Sequence, residues 1–171
     1  QIPFYTGVDT VKALIDKNNA RYGSSERVFL HRNIIDLDWE FYSDFDAVIL
    51  KDVLVHLSFK NVQSILRQLR LSTVRYVFAT NFIGLRSNSD VIDGQWHMMN
   101  LLAPPFNMGF PAETIVSYGD SFRVGEELYS DKTLSMWRNE SIISSKHNRF
   151  SDVYVKRQLG AIKPRRVVDV G

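Results

Sequence analysis

The stretch Phe45-Asp46-Ala47-Val48-Ile49-Leu50-Lys51-Asp52-Val53-Leu54-Val55-His56-Leu57 holds the densest chemistry in the chain. An apolar run delivers Lys51 and Asp52 to its end, and His56 follows Asp52 by one helical turn. A carboxylate or imidazole held at a strand end can take a proton from a nucleophile. The same residues can instead be structural, with Asp52 capping a short turn and His56 packed under a loop. Two more acids follow apolar segments. Asp9 closes Phe4-Tyr5-Thr6-Gly7-Val8, and Asp36 closes Asn33-Ile34-Ile35. Asp9 can accept hydrogen bonds from ribose hydroxyls, or cap the helix that follows. Asp36 can accept from the amine of an adenine while Ile35 packs on the ring, or it is a turn residue beside Asp38 and Glu40. Further along, Trp96, His97, Phe106 and Tyr118 can form an apolar, partly aromatic wall that attracts a cation. They can equally pack a loop onto the fold.

These side chains need elements to hold them, and the chain alternates apolar runs with amphipathic segments. A first strand ends at Asp9, and a helix follows from Val11 to Tyr22 with Gly23 as its stop. Arg27 to His31 reads as a second strand. Ala47-Val48-Ile49-Leu50 is unbroken and apolar, as a strand covered on both faces should be. Ser58 is placed to cap a helix with Val62, Ile65, Leu66 and Leu69 at helical spacing, and Val74 to Ala79 reads as another strand. From Asn81 to Pro111 the pattern gives way to Gly, Asn, Pro and aromatics, a long connection of the functional kind. Ile115 to Tyr118 and Thr133 to Trp137 predict a hairpin with a long loop. Residues 144–149 read as a linker, Phe150 to Ile162 as an amphipathic helix, and Val167-Val168-Asp169-Val170 as a last strand before Gly171. Alternating elements predict a single α/β domain over residues 1–171, whose ligand sits beyond the carboxyl ends of parallel strands.

Composition removes other classes. The 171 residues carry a net charge of +2, and the only dense basic group is Lys163, Arg165 and Arg166, so nucleic acid is not an expected partner. There are no cysteines, which excludes disulfides and thiolate metal sites, and no metal site is expected. No apolar run reaches the roughly 18–20 residues that span a bilayer. The segment Gln-Ile-Pro-Phe-Tyr has no basic region leading into an apolar stretch, so no membrane partner and a cytoplasmic location are expected.

In order and spacing, Tyr-Thr-Gly-Val-Asp, Asn-Ile-Ile-Asp and Phe-Asp-Ala-Val-Ile-Leu-Lys-Asp-Val-Leu-Val-His-Leu resemble the second, third and fourth strands of class I S-adenosylmethionine-dependent methyltransferases. Asp93-Gly94-Gln95-Trp96 and Asn100-Leu101-Leu102-Ala103-Pro104-Pro105-Phe106 look like a small-molecule branch of that family. The resemblance covers nearly the whole chain. It implies a Rossmann-like, mostly parallel seven-stranded sheet with helices on both faces. It also implies S-adenosylmethionine as cofactor and methyl transfer to an oxygen or nitrogen of a small polar acceptor. On it, Asp9 would bind the cofactor ribose, Asp36 with Ile35 the adenine, and Lys51 would sit by the methionine end, with Thr10, Asp169 and Gly171 also among the cofactor-binding residues. Asp52, His56 and His97 would be the catalytic candidates, and Trp96, Phe106 and Tyr118 would meet the acceptor.

One departure is large. The family's first strand should precede Tyr5, and its counterpart here is Val167-Val168-Asp169-Val170-Gly171 at the other end. The expected order is thus strands two to seven in residues 1–143, then linker, helix and strand one in 144–171, a circular permutation in which the glycine-rich loop stops at Gly171. That truncation keeps two rivals in play. One is a degenerate, non-catalytic methyltransferase-like scaffold. The other is a nucleotide-dependent Rossmann enzyme using NAD, which would need Gly-x-Gly-x-x-Gly directly before the strand ending in Asp9.

Overall fold

The computed structural model describes residues 2–117, 123–124, 127–128, 131–142 and 166–170. The expected linker at 144–149, the helix at 150–162, Tyr118 and Gly171 lie outside the described residues. The elements are β1 (Phe4–Asp9), α1 (Lys12–Tyr22), β2 (Arg27–His31), α2 (Trp39–Ser43), β3 (Ala47–Leu50), α3 (Phe59–Leu71), β4 (Tyr76–Phe82), β5 (Glu113–Ser117), β6 (Arg123–Val124), β7 (Glu127–Leu128), β8 (Lys132–Arg138) and β9 (Arg166–Val170). Short 3₁₀ turns at Ile34–Asp36, Leu54–His56 and Asn139–Ile142 complete them. No helix among the described residues is long and apolar enough to cross a membrane.

Seven strands form one mixed sheet in the order β2-β1-β9-β3-β4-β8-β5. The pairings β1–β2, β1–β9, β9–β3 and β3–β4 are parallel, whereas β8 runs antiparallel to both β4 and β5. This is an α/β architecture in which the chain's last described strand lies near the middle. Its composition explains the position. Val167, Val168 and Val170 are all buried, and a strand between two neighbours must be apolar toward both faces. Asp46 fixes the entry to this region. Its backbone N–H donates to the Arg166 carbonyl and its carboxylate accepts from the Arg166 N–H, while its carbonyl accepts from the Arg75 and Tyr76 N–H groups, so it clasps the amino ends of β9, β3 and β4.

One face of the sheet carries the main core. Val8, Val48, Leu50, Val77, Ala79, Val168, Val170 and Trp137 pack with Val62, Ile65, Leu66 and Leu69 of α3, the positions that helical spacing singles out. On the opposite face Ala47, Val167 and Met136 are buried, but Tyr5, Phe29, Ile49 and Phe78 are only half-buried. Among the described helices, α1 buries Ile15 alone. The expected cover of helices on both faces is therefore thick on one side and thin on the other among the described residues.

Several local expectations shift. Gly23 ends α1, but at φ −60 it does not use glycine's left-handed freedom. It is needed because a Cβ there would lie 2.4 Å from the Asn19 carbonyl oxygen. Ser58 occupies the N-cap of α3, yet its side chain makes no capping bond. The caps come from the 83–111 connector, where Asp93 accepts from the Ser58 N–H (2.7 Å) and Asp90 from the Phe59 N–H (2.7 Å). Strand β4 begins and ends later than Val74 to Ala79, because Asn81 and Phe82 pair with Thr133 and Lys132 of the inserted β8. Helix α2 has no counterpart in the sequence reading. Asp38 caps it by accepting from the Phe41 N–H (2.9 Å).

The asparagine-rich connector is ordered by its own side chains. Asn88 accepts from the Asn100 N–H (2.7 Å) and donates to the carbonyls of Asn100 and Pro104. Asn100 donates to the Leu85 carbonyl (2.8 Å), Asn81 accepts from the Leu101 N–H (2.7 Å), and Trp137 Nε1 donates to the Gly109 carbonyl (2.8 Å). Backbone that forms no ladder must find partners elsewhere, and amides supply them.

Candidate functional site

Parallel strands β1, β2, β9, β3 and β4 all point their carboxyl ends the same way, which gathers their following residues at one rim. At the β1–β2 end of that rim lies an open cleft of about 620 Å³ lined by Thr10, His31, Arg32, Asn33, Asp36 and Leu37. That volume falls in the range of small-ligand sites, roughly 300–1,000 Å³. The walls are laced together. The Arg32 N–H donates to the Asp9 carbonyl (3.1 Å), His31 Nε2 donates to the Thr10 carbonyl (3.0 Å), and Asn33 accepts from the Ile35 N–H (3.1 Å) to start the 3₁₀ turn that carries Asp36. Of that turn, Ile34 is the buried residue, while Ile35 is half-buried and Asp36 exposed.

Of the predicted cofactor residues, Thr10 and Asp36 line the cleft. Asp9 stands at its edge with one carboxylate oxygen accepting from the Val11 N–H (2.6 Å). Asp9 is not the N-cap expected as one alternative: Val11 holds that position without a side-chain capping bond, and Asp9 closes a local turn onto the Val11 N–H ahead of the helix. His31 and Arg32 line the cleft without having been singled out in the sequence. The signal was their position at the carboxyl end of a strand, the same signal that picked Asp9.

A row of charges continues along the rim. Asp169 of β9 lies level with Gly7 and Ile49, and the Tyr5 hydroxyl donates to its Oδ2 (3.0 Å). Burial pushes the Asp169 carboxyl above its ordinary range, against the opposing pull of the Tyr5 bond and of the Lys51 charge. Burial also raises the Tyr5 phenol, with the Asp169 charge adding to it.

Next comes Asp52, at φ +59 in the left-handed region. Its N–H donates to Thr80 Oγ1 (2.8 Å), and that hydroxyl donates back to Asp52 Oδ1 (3.1 Å). Lys132 Nζ lies 2.8 Å from Oδ1 and Lys51 Nζ 3.1 Å from Oδ2. Burial alone would raise the Asp52 carboxyl. The hydrogen bonds and charges of Lys132 and Lys51 outweigh it and hold the group below the ordinary carboxylate range. Lys132, only 4% exposed in its side chain, escaped the sequence reading. It is the first residue of β8, and only the antiparallel insertion of that strand beside β4 brings it to the carboxyl-end rim.

The remaining candidates sit apart. His56 is exposed at the end of a 3₁₀ turn. His97 is buried, its Nδ1 donating to the Ser89 carbonyl (2.7 Å) and its ring against Phe59. Phe106 also packs edge-on to Phe59 within the core, and Trp96 meets Phe82 edge-on. The structure brings His97 and Phe106 together through Phe59, in the packing role, while Tyr118 and Gly171 lie outside the described residues.

Chemically, the rim offers a nucleoside-sized cleft with carboxylate, amide and hydroxyl edges, continuous with a row in which acids and ammonium groups alternate. Compared with known proteins, the chain matches no family model, and no curated protein resembles it.

Proposed function

We propose that this chain binds S-adenosylmethionine and transfers its methyl group to an oxygen or nitrogen of a small polar acceptor, on a Rossmann-like sheet. The observation that carries the reading is the strand order. With β9 read as strand one and β1, β2, β3 and β4 as two to five, the sheet reads 3-2-1-4-5, the doubly wound order whose ligand sits where the order reverses. The reversal falls between β9 and β3, where Asp169 and Lys51 stand. Strands β5 and β8 then take the sixth and seventh places, the seventh inserted antiparallel. In this reading β9, the last of the described strands in sequence, takes the place of the family's first strand in the sheet.

The residues fit the cofactor. Thr10 and Asp36 border the cleft suited to the adenosine, and Asp9 retains acceptor capacity for a ribose hydroxyl beyond its bond to Val11. Asp169 and Lys51 match the ammonium and carboxylate of the methionine end in charge. When bound, the cofactor supplies a methyl group on a positively charged sulfur. The chain's own part is to place that methyl and exclude water.

Calorimetric titration with S-adenosylhomocysteine tests this. Saturable binding is expected, with none for NAD, and Asp9→Ala should weaken it by about 1–3 kcal/mol, the scale of a buried polar partner left unpaired. Absence of binding would overturn the reading in favour of a non-catalytic scaffold. Tight NAD binding would favour the dinucleotide enzyme.

A further inference from the structure

Asp52 stands just beyond β3, one of the two strands between which the order reverses, and its surroundings bear on which acceptors the site can use. We propose that Lys132 is a positioning residue that locks Asp52 as a permanent anion, so that Asp52 orients the acceptor and does not serve as its base. The inference rests on the methyl-transfer reading for its chemistry, though not for its test.

Three features fix the carboxylate. The buried Lys132 ammonium meets Oδ1 at 2.8 Å, and the Thr80 hydroxyl meets the same oxygen at 3.1 Å. Lys51 meets the other oxygen at 3.1 Å. The backbone sits at φ +59, a conformation that costs free energy and persists only where neighbours over-determine it; here the Asp52 N–H is itself held by Thr80. A carboxylate accepts about four hydrogen bonds, so these three partners leave room for one from a ligand. With the Asp52 side chain 34% exposed, that direction can be reached. The charged groups facing it are Lys51 on the same turn and Lys132 from β8, and Asp169 of β9 shares the field of Lys51.

A useful general base titrates near the working pH, and an acid held ionised by two ammonium groups does not. The acceptor class follows. It is one whose reacting atom already carries a free lone pair at neutral pH, such as a carboxylate, an acidic phenol or enol oxygen, or an unprotonated heteroaromatic nitrogen. The lone pair forms the bond to the methyl carbon as the carbon–sulfur bond breaks. The electron pair of that bond passes to sulfur and discharges its positive charge, and no proton needs to move. An alkyl alcohol or alkylammonium acceptor would require a base that this position does not provide.

Carbon-13 NMR titration of the Asp52 carboxyl in the unliganded full chain tests the lock, with the signal assigned by Asp52→Asn. The expected midpoint in the native chain lies below the ordinary value of about 3.9. Lys132→Met should raise it, because an adjacent opposite charge is lost, and Lys132→Arg should restore it. Lys51→Met, which changes an exposed side chain, should leave the midpoint low and keeps the test decisive if Lys132→Met does not fold. A native midpoint at or above the ordinary value, an unmoved midpoint in Lys132→Met, or an ordinary midpoint in Lys51→Met would each overturn the proposal. Cofactor binding is measured separately by calorimetry, so the two readings fail independently.

Discussion

Val168→Asp abolishes the cooperative unfolding transition, while Val168→Ala lowers stability by about 2 kcal/mol and leaves it cooperative. Val168 has 0% exposure and pairs with Thr6 on one side and Val48 on the other, at the centre of the sheet. A carboxylate there has neither water nor a cation to meet, and the penalty exceeds about 4–5 kcal/mol, a large part of the 5–15 kcal/mol that stabilises a whole domain. The matching control is Arg166→Lys at the exposed start of the same strand, which keeps a cation beside Phe4 and Asp46 and is expected within about 0.5 kcal/mol. Thermal unfolding followed by circular dichroism reads all three. A Val168→Asp chain that melts like the native one would place β9 outside the sheet's interior.

A second large loss is expected at Trp137. The ring is fully buried in the main core and its Nε1–H donates to the Gly109 carbonyl at 2.8 Å. It is thus both core mass on β8 and the pin for the far end of the 83–111 connector. Trp137→Ala removes the largest fully buried side chain and should cost about 3–5 kcal/mol. Trp137→Phe keeps most of the apolar contact but leaves the Gly109 carbonyl unpaired, and about 1–3 kcal/mol is expected from that alone. Chemical denaturation separates the two contributions. Equal losses in both variants would mean that the ring's volume contributes little and that the connector's pin is the whole effect.

How much of this was legible beforehand depended on what kind of signal each residue carried. Strand β3 could be read because Ala47 to Leu50 is apolar without a break, the pattern that burial on both faces demands. Val167 to Val170, interrupted by Asp169, was marked by its likeness to the first strand of the methyltransferase family, and that resemblance implied its place between β1 and β3. The acids Asp9, Asp36 and Asp52 were legible because they stand at or soon after the ends of apolar runs. What they bond to was not. Asp9 spends one oxygen on the Val11 N–H just ahead of α1, and Asp52 is tied to a lysine from β8, eighty residues on in the chain. Position in sequence predicts where a strand-end residue lies, whereas its partners depend on which strands become neighbours. The inserted antiparallel β8 decided that for Lys132, and nothing local announces such an insertion.

The cap of α3 shows the same limit. Ser58 has the right chemistry at the right place, but Asp90 and Asp93 arrive from the connector and take the helix N–H groups. A backbone hydrogen bond from Ser58 is the main reason the Asp93 carboxyl stays below its ordinary range. The connector's aromatics left both alternatives open in another way. Trp96, His97 and Phe106 look alike whether they wall a ligand or fill a core, and Phe59, on the face of α3 that meets the connector, draws two of them inward. Helix α2, five residues long, is too short to display a period.

On the proposed function, the ends of β1, β2, β9 and β3 make one adenosyl-binding rim. The most direct measurement is a titration with S-adenosylhomocysteine followed through backbone amide NMR shifts. Saturable shifts are expected at Thr10, at His31 to Asn33 and Asp36, and at Lys51 and Asp169. Shifts gathered instead around Ser72, Arg75 and Arg138, which line the cavity of about 270 Å³ at the amino end of β4, would contradict it, as would no saturable shift at all.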